Sequence, residues 1–347
     1  MKILVTGGCG FIGSALIKTA LKKGHKVINI DNLSYAGSTS NLENVLKNEN
    51  YLFFKENIIN GGKIYKIISE TKPNAIIHLA AESHVDRSIS GPRNFLDTNV
   101  IGTFELLESS RKYWYDNNKN KDFRFLHVST DEVYGSLGSK GKFTELSSYS
   151  PNSPYSASKA ASDHFVRSWF KTYEFPSIIT NCSNNYGPYQ FPEKLIPLTI
   201  IKAIKSLPID VYGEGKNVRD WLFVNDHVNA ILKVLDKGSS GLTYNIGSNN
   251  EYTNIELVKL LCSEIDIKLN RTQKTSNLIQ FVKDRPGHDE RYAIDYSFLK
   301  NSLGWEPQYK FKDSLSETID WYIKNQYWWE KIITKFNLNK RLGLIEK

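Results

Sequence analysis

The sequence predicts an α/β protein: a doubly wound parallel sheet with helices on both faces, followed by a smaller C-terminal lobe. Three observations carry that expectation. Short apolar runs alternate with longer amphipathic segments through the first half, a glycine-rich turn follows the first apolar run at once, and the rhythm becomes less regular after about Pro188. Residues 2–6, 26–30, 75–80, 125–129 and 176–181 read as strands, and 242–246 as a strand that returns to the same sheet. Residues 11–21 read as a helix, and 92–115 and 154–173 as two more with apolar stripes.

At 347 residues the chain has room for about two domains at roughly 150 residues each. Its 40% hydrophobic and 24% charged content is that of a globular protein. No run approaches the roughly 18 apolar residues that cross a bilayer, and the first apolar segment breaks into Gly7-Gly8 before a signal-peptide core could form. The expectation is a soluble, cytoplasmic protein without a membrane partner. Forty-five Lys and Arg against 37 Asp and Glu give +8, spread along the chain without a basic block, so a nucleic-acid partner is not expected and a small anionic ligand is. Cys9, Cys182 and Cys262 are far apart and have no metal-ligand spacing, so neither a disulfide framework nor a metal site is expected.

Gly7, Gly10 and Gly13 open the segment 11–21 directly after the first strand. Glycine there allows a tight turn, lets a pyrophosphate approach the backbone, and lets helix and strand pack closely, while the helix N-terminus offers free N–H groups to phosphate. Asp31 ends the second strand 18 residues beyond Gly13, near the expected spacing for a carboxylate that accepts from ribose hydroxyls and repels a 2′-phosphate. A Rossmann-type domain binding NAD follows. Residues 1–187 are assigned to it, with later segments rejoining it, 188–330 mainly to a substrate-binding lobe, and 331–347 to a C-terminal tail. The aromatic run Tyr327-Trp328-Trp329 is read as capping a terminal helix against its own domain.

Tyr155 and Lys159 lie four apart on one face of the helix opened by Pro154. An ammonium beside a phenol favours phenolate, a base suited to a sugar hydroxyl. The strand 125–129 runs into Thr130-Asp131-Glu132, placing polar side chains at the strand edge where doubly wound sheets hold ligands. Two adjacent carboxyls in different surroundings can divide labour as acid and base. The same run is also a good helix N-terminus.

These motifs, together with His78-Leu79-Ala80-Ala81-Glu82-Ser83-His84-Val85-Asp86-Arg87-Ser88, Asn184-Asn185-Tyr186-Gly187-Pro188, Pro192-Glu193-Lys194-Leu195-Ile196-Pro197, Arg219-Asp220-Trp221 and Arg285-Pro286-Gly287-His288-Asp289, span most of the chain. The chain resembles the extended short-chain dehydrogenase/reductases, and among them the nucleotide-sugar 4,6-dehydratases, with dTDP-glucose the implied substrate. The resemblance implies an internal redox dehydration. Tyr155, helped by Thr130 and Lys159, takes the 4-hydroxyl proton; Glu132 takes the C5 proton; Asp131 protonates the departing 6-hydroxyl. It implicates Phe11, Ile12, Asp31, Asn32, Asn57, Ile58, Ala81 and Thr98 at NAD, besides the glycines, Tyr155 and Lys159. It implicates Ser83, Thr130, Asn184, Lys194, Leu195, Tyr212, Arg219, Asn254, Arg285 and His288 at the nucleotide sugar. Arg219 and Arg285 suit a pyrophosphate, because guanidinium can meet phosphate oxygens through paired hydrogen bonds; without the resemblance, surface ion pairs explain them as well. Asn57 stands where an aspartate usually contacts the adenine end and can still accept through its amide oxygen.

A nucleotide-sugar 4-epimerase shares the glycine turn and the Tyr-Lys pair but has no use for the paired carboxyls. A non-catalytic NAD-sensing scaffold has no use for either. The resemblance further implies a homodimer through the helices 92–115 and 154–173.

Overall fold

The computed structural model describes residues 1–336, and its centre is a seven-stranded sheet in which every pairing is parallel. The strands in chain order are β1 (Lys2–Thr6), β2 (Lys26–Asp31), β3 (Tyr51–Lys55), β4 (Ala75–His78), β5 (Arg124–Thr130), β6 (Ser177–Cys182), β7 (Asn184–Tyr186), β8 (Ile209–Tyr212), β9 (Val218–Phe223), β10 (Thr243–Ile246), β11 (Glu251–Thr253) and β12 (Ile279–Val282). The central order is β10-β6-β5-β4-β1-β2-β3. The chain winds outward from β1 through β2 to β3, then returns to pair β4 on the other side of β1. That reversal opens a crevice at the C-terminal ends of β1 and β4, the usual ligand position in such a sheet.

The interior strands are apolar along their whole length because helices cover both faces: β4 is buried at every residue, and β5 at all but Arg124. The sheet contains one strand that periodicity does not announce. β3 lies at the edge, only partly buried along its length, so its five residues lack the continuous apolar signature of its neighbours. β4 stops at His78 rather than at residue 80, which leaves 79–84 as a loop over the crevice. The predicted helix 92–115 is not uniform. It begins with α-helix Pro92–Phe95, passes through a π-helical turn at Leu96–Ile101, and continues as α-helix Gly102–Asp116. The extra residue of such a turn re-aims side chains, and it brings Thr98 and Asn99 toward the site. The helix Pro154–Tyr173 has the expected bounds and a capping box between Ser153 and Ser156.

After β6 the chain builds two small sheets, β11-β9-β7 and β12-β8, with helices Leu195–Ile204 and Asn254–Lys268. It also returns to the main sheet. β10 pairs with β6 in parallel, and helix Val224–Lys237 packs on helix Phe11–Lys22 through one continuous core that includes Leu16, Val228 and Leu235. The last described helix, Gln326–Phe336, seats Trp329 fully inside this core, and Trp328 donates to Asn41 Oδ1 at 2.9 Å. Trp328 and Trp329 therefore pack against their own domain, whereas Tyr327 is exposed; residues 337–347 of the predicted tail lie outside the described residues. Among the described residues no helix is long and apolar enough to cross a membrane.

Candidate active site

β1 ends at Thr6, and Gly7 turns the chain at φ +72°, a left-handed conformation that favours glycine. A Cβ on Gly13 would stand 2.2 Å from the Gly7 carbonyl oxygen and 2.7 Å from Gly8 Cα. The helix Phe11–Lys22 starts at Gly10 with no side chain capping its first turn, so its leading N–H groups are left for an anion. At the end of β2, Asp31 accepts from the Cys9 amide at 2.8 Å and the Leu33 amide at 2.7 Å. It is thus both a turn residue and a buried carboxylate aimed at the crevice. This cradle, closed to a Cβ at Gly7 and Gly13 and ending in a carboxylate, fits a dinucleotide. Gly7, Gly10, Phe11, Ile12, Gly13, Asp31, Asn32, Asn57, Ile58, Ala81, Thr98, Tyr155 and Lys159 all line one cavity. Gly13→Ala is expected to abolish retention of NAD through gel filtration, because its methyl group meets backbone that cannot retreat; retention equal to the parent protein would sink this reading of the turn.

Asp131 and Glu132 leave the C-terminal end of β5 into the same cavity as a short 3-10 turn, Asp131–Tyr134. Thr130 caps that turn, its hydroxyl accepting from the Glu132 amide at 3.3 Å. The run is therefore a turn cap that also lines the cavity. Burial holds the Asp131 carboxyl far above the ordinary range, reinforced by the charges of Glu132 and Asp220 and only partly opposed by Arg219. Burial also raises Glu132, but Arg285, Lys194 and Arg219 pull it back. Their surroundings push the two carboxyls apart: Asp131 is the one kept protonated, Glu132 the one helped to ionise.

Tyr155 and Lys159 reach the cavity from one face of the helix Pro154–Tyr173. The phenol is buried beside Phe95, whose ring meets it edge-on with centroids 6.2 Å apart. The Tyr155–Lys159 spacing predicts that the ammonium governs the phenol, but here other influences lead. Burial, the Glu132 charge and Cys182 raise Tyr155, and a hydrogen bond from Thr130 opposes them. The Lys159 ammonium instead donates to the Val128 carbonyl at 2.9 Å and lies 3.3 Å from His127 Nε2. Burial brings it down to about 8.

A second cavity lies between β8, β9 and the helix Leu195–Ile204, and it meets the first along Glu132, Asn184 and Lys194, which line both. Leu195, Tyr212, Arg219, Asn254, Arg285 and His288 line the second; Ser83 and Thr130 line the first. Neither arginine is a surface ion pair. Arg219 is 5% exposed and is held by carbonyls, donating to Val218 at 2.7 Å and to Asp289 at 2.9 Å, with its guanidinium 4.3 Å from the Tyr292 ring centroid. Arg285 pairs with Asp86 at 3.0 Å, and its buried Nε has no hydrogen-bond partner. Lys194 donates to the Ser83 carbonyl at 2.8 Å. Three cations around one cavity, two of them bonded only to neutral carbonyl oxygens, suit a diphosphate. His288 is pushed down to about 4 by burial and by Arg285, so it meets a ligand as neutral imidazole.

The sequence reading missed several residues here. Cys182, Asn185 and Gln190 line the cavities, and Asp86 binds both Arg285 and the Tyr212 hydroxyl, the latter at 2.9 Å. Asp86 stood inside a quoted motif without a role, and only its contact with Arg285, 199 residues away, assigns one.

Comparisons with known proteins agree with this geometry. Residues 4–318 match the family model described as GDP-mannose 4,6 dehydratase. The dTDP-glucose 4,6-dehydratase of Xanthomonas campestris pv. campestris strain B100 is 52% identical over 98% of either chain. A crystal structure of dTDP-glucose 4,6-dehydratase from Bacillus anthracis in complex with NAD superposes with TM-score 0.86 at 46% identity, covering 96% of this chain and 99% of that one. The dTDP-glucose 4,6-dehydratase of Streptomyces venezuelae with NAD bound gives TM-score 0.89 at 41% identity, covering 96% of this chain and 100% of that one. A family model over residues 4–318, superposition over nearly the whole fold and identities of 41–52% over nearly the full length leave one assignment: the chain belongs to the family of dTDP-glucose 4,6-dehydratases.

Proposed function

We propose that this chain converts dTDP-glucose to dTDP-4-keto-6-deoxyglucose, with Tyr155, Thr130, Glu132, Asp131 and Lys159 carrying the proton transfers. The observation that supports it most is the position of Glu132, which lines both cavities beside a carboxyl kept protonated by its surroundings. The glycine turn, Asp31, Tyr155 and Lys159 hold the dinucleotide; Lys194, Arg219 and Arg285 hold the diphosphate. Bound NAD supplies the reversible hydride acceptor that oxidation at C4 and reduction at C6 require.

Tyr155 takes the proton of the 4-hydroxyl as phenolate, the form that the Thr130 hydrogen bond favours, and ends the step as phenol. The C4 ketone makes the C5 hydrogen acidic, and Glu132 removes it. Asp131 gives its proton to the 6-hydroxyl, which leaves as water. Glu132 then returns its proton to C5. Asp131 acts in the protonated form that burial imposes on it, and Glu132 in the ionised form that Arg285, Lys194 and Arg219 support against its burial. The lobe 188–330 supplies most of the nucleotide-sugar contacts, and the domain 1–187 the dinucleotide contacts. The helical faces that expose Leu96 and Ile101, at 45% and 42%, serve a homodimer. Three buried free cysteines suit the reducing cytoplasm.

The purified protein, offered dTDP-, UDP-, CDP- and GDP-glucose separately, is expected to form the 4-keto-6-deoxy product fastest from dTDP-glucose. Turnover of another nucleotide sugar with none of dTDP-glucose overturns the substrate; no product from any overturns the activity.

A further inference from the structure

Behind Lys159 lies a buried polar cluster with no part in the mechanism above, of which only Ser129 lines the crevice. Asp163 follows Lys159 by one helical turn and shares its face, as Lys159 follows Tyr155. From the sheet side, His127 and Ser129 project from alternate positions of β5, just before the Thr130-Asp131-Glu132 run. Ser129 Oγ donates to Asp163 Oδ2 at 2.8 Å, and the Tyr149 hydroxyl donates to the same oxygen at 2.9 Å. The other oxygen, Oδ1, has no hydrogen bond and faces His127 Nε2 at 3.2 Å. His127 Nε2 in turn lies 3.3 Å from Lys159 Nζ. His127 and Asp163 have side-chain exposures of 0% and 1%.

A carboxylate so deep, with one oxygen left unbonded, is costly unless a cation answers it. The nearby groups leave one candidate. His127 and His78 are pushed far toward the neutral imidazole by burial, and the Cys182 thiol, across on β6, is pushed far toward the neutral form. Tyr155 and Tyr149 are raised by burial and supply no positive charge in either protonation state, and His164, on the outer side of the helix, is exposed. Within this set Lys159 is the cation and Asp163, which burial raises to about 6 against the pull of Lys159, Ser129 and Tyr149, is the anion above that pH, with the His127 ring between them. Asp163 also acts on Lys159 in the expected direction, opposing the loss of its proton on burial.

We propose that Asp163 is a positioning residue of this reaction: held by Ser129 and Tyr149 and screened by His127, it is the buried counter-ion that keeps the Lys159 ammonium charged while Tyr155 works. This deepens the dehydratase reading and rests on it. Asp163, His127 and Tyr149 line neither cavity. The effect of the cluster is on the charge of Lys159 and therefore on the pH range over which the Tyr155 step runs.

The test is the pH dependence of turnover in wild type, Asp163→Asn and Tyr149→Phe, together with competitive acetylation of Lys159 by acetic anhydride, read by peptide mass spectrometry. In Asp163→Asn the alkaline limb of turnover is expected to move down by about one pH unit, the low end for loss of a nearby opposite charge. The acetylation midpoint of Lys159 should move with it, and the KM for dTDP-glucose should stay put. Tyr149→Phe removes a hydrogen bond from the same carboxylate but keeps its charge, so both midpoints should stay at the wild-type pH. An Asp163→Asn profile lowered equally at every pH, an unmoved acetylation midpoint, or an equal shift in Tyr149→Phe overturns the proposal. Absence of turnover in wild type overturns the dehydratase reading instead, and the acetylation midpoint still decides whether Asp163 holds the charge of Lys159.

Discussion

Asp131→Asn is expected to lower product formation by about 10²–10³-fold, roughly 3–4 kcal/mol of barrier, while reduction of NAD by dTDP-glucose in a single turnover persists. The amide keeps the shape and the place of the carboxyl at the end of β5, but it has no proton to give the departing hydroxyl. Oxidation at C4 does not call on that proton and goes forward; the enzyme then stalls with reduced nicotinamide and an uneliminated ketone. A second readout follows from the burial of the group. With its folded-state value raised, ionised Asp131 costs folding free energy: the benefit of the neutral form is complete below the ordinary carboxylate range and is lost as pH rises through the raised folded value. An amide never ionises, so Tm of Asp131→Asn should match or exceed that of the parent protein, and the gap should widen toward alkaline pH. Elimination at the parent rate would remove Asp131 from the acid role, whatever the stability.

What the sequence made legible was local. The glycine turn, Asp31 at the end of the next strand and the Tyr155–Lys159 spacing each lie within one or two elements, and each arrived where the spacing placed it. The interior strands were legible because helices on both faces demand continuous apolar runs. β3 was not, since an edge strand that is only partly buried loses that signature. The π-helical turn at Leu96–Ile101 was not legible either, since one inserted residue leaves the apolar stripe nearly intact while changing which side chains face the cavity.

Electrostatics were the least legible. A YxxxK spacing shows that an ammonium and a phenol share a helix face, but not how dry the site is or which charges lie across it. The arginines show the same limit. Asp86 and Arg285 meet across 199 residues, and Asp163 meets Ser129 across 34; neither contact leaves a pattern along the chain. Such pairs are fixed by how the lobes and the sheet close, so their roles emerge only from the fold.

Tyr155→Phe is expected to block the reaction one step earlier, with single-turnover reduction of NAD slowed by about 10²–10⁴-fold, the range for loss of a general base. The ring itself should be tolerated. Phe95, Val85 and Ile89 pack against it, and a phenyl ring fills the same space, so folding and the KM for dTDP-glucose should change little. What disappears is the oxygen that Thr130 stabilises and that receives the 4-hydroxyl proton. The two variants therefore separate the halves of the reaction. Asp131→Asn reduces NAD and stalls, whereas Tyr155→Phe does neither. Glu132 links them, because its charge is the second cause, after burial, that raises the phenol. Glu132→Gln should accordingly shift the acidic limb of NAD reduction to lower pH, as the phenol loses its proton more easily, while blocking loss of the C5 proton. Reduction of NAD at the parent rate in Tyr155→Phe would assign the first proton to another group, with Glu132 the nearest carboxylate able to take it, and the division of labour between phenol and carboxyls would then have to be redrawn.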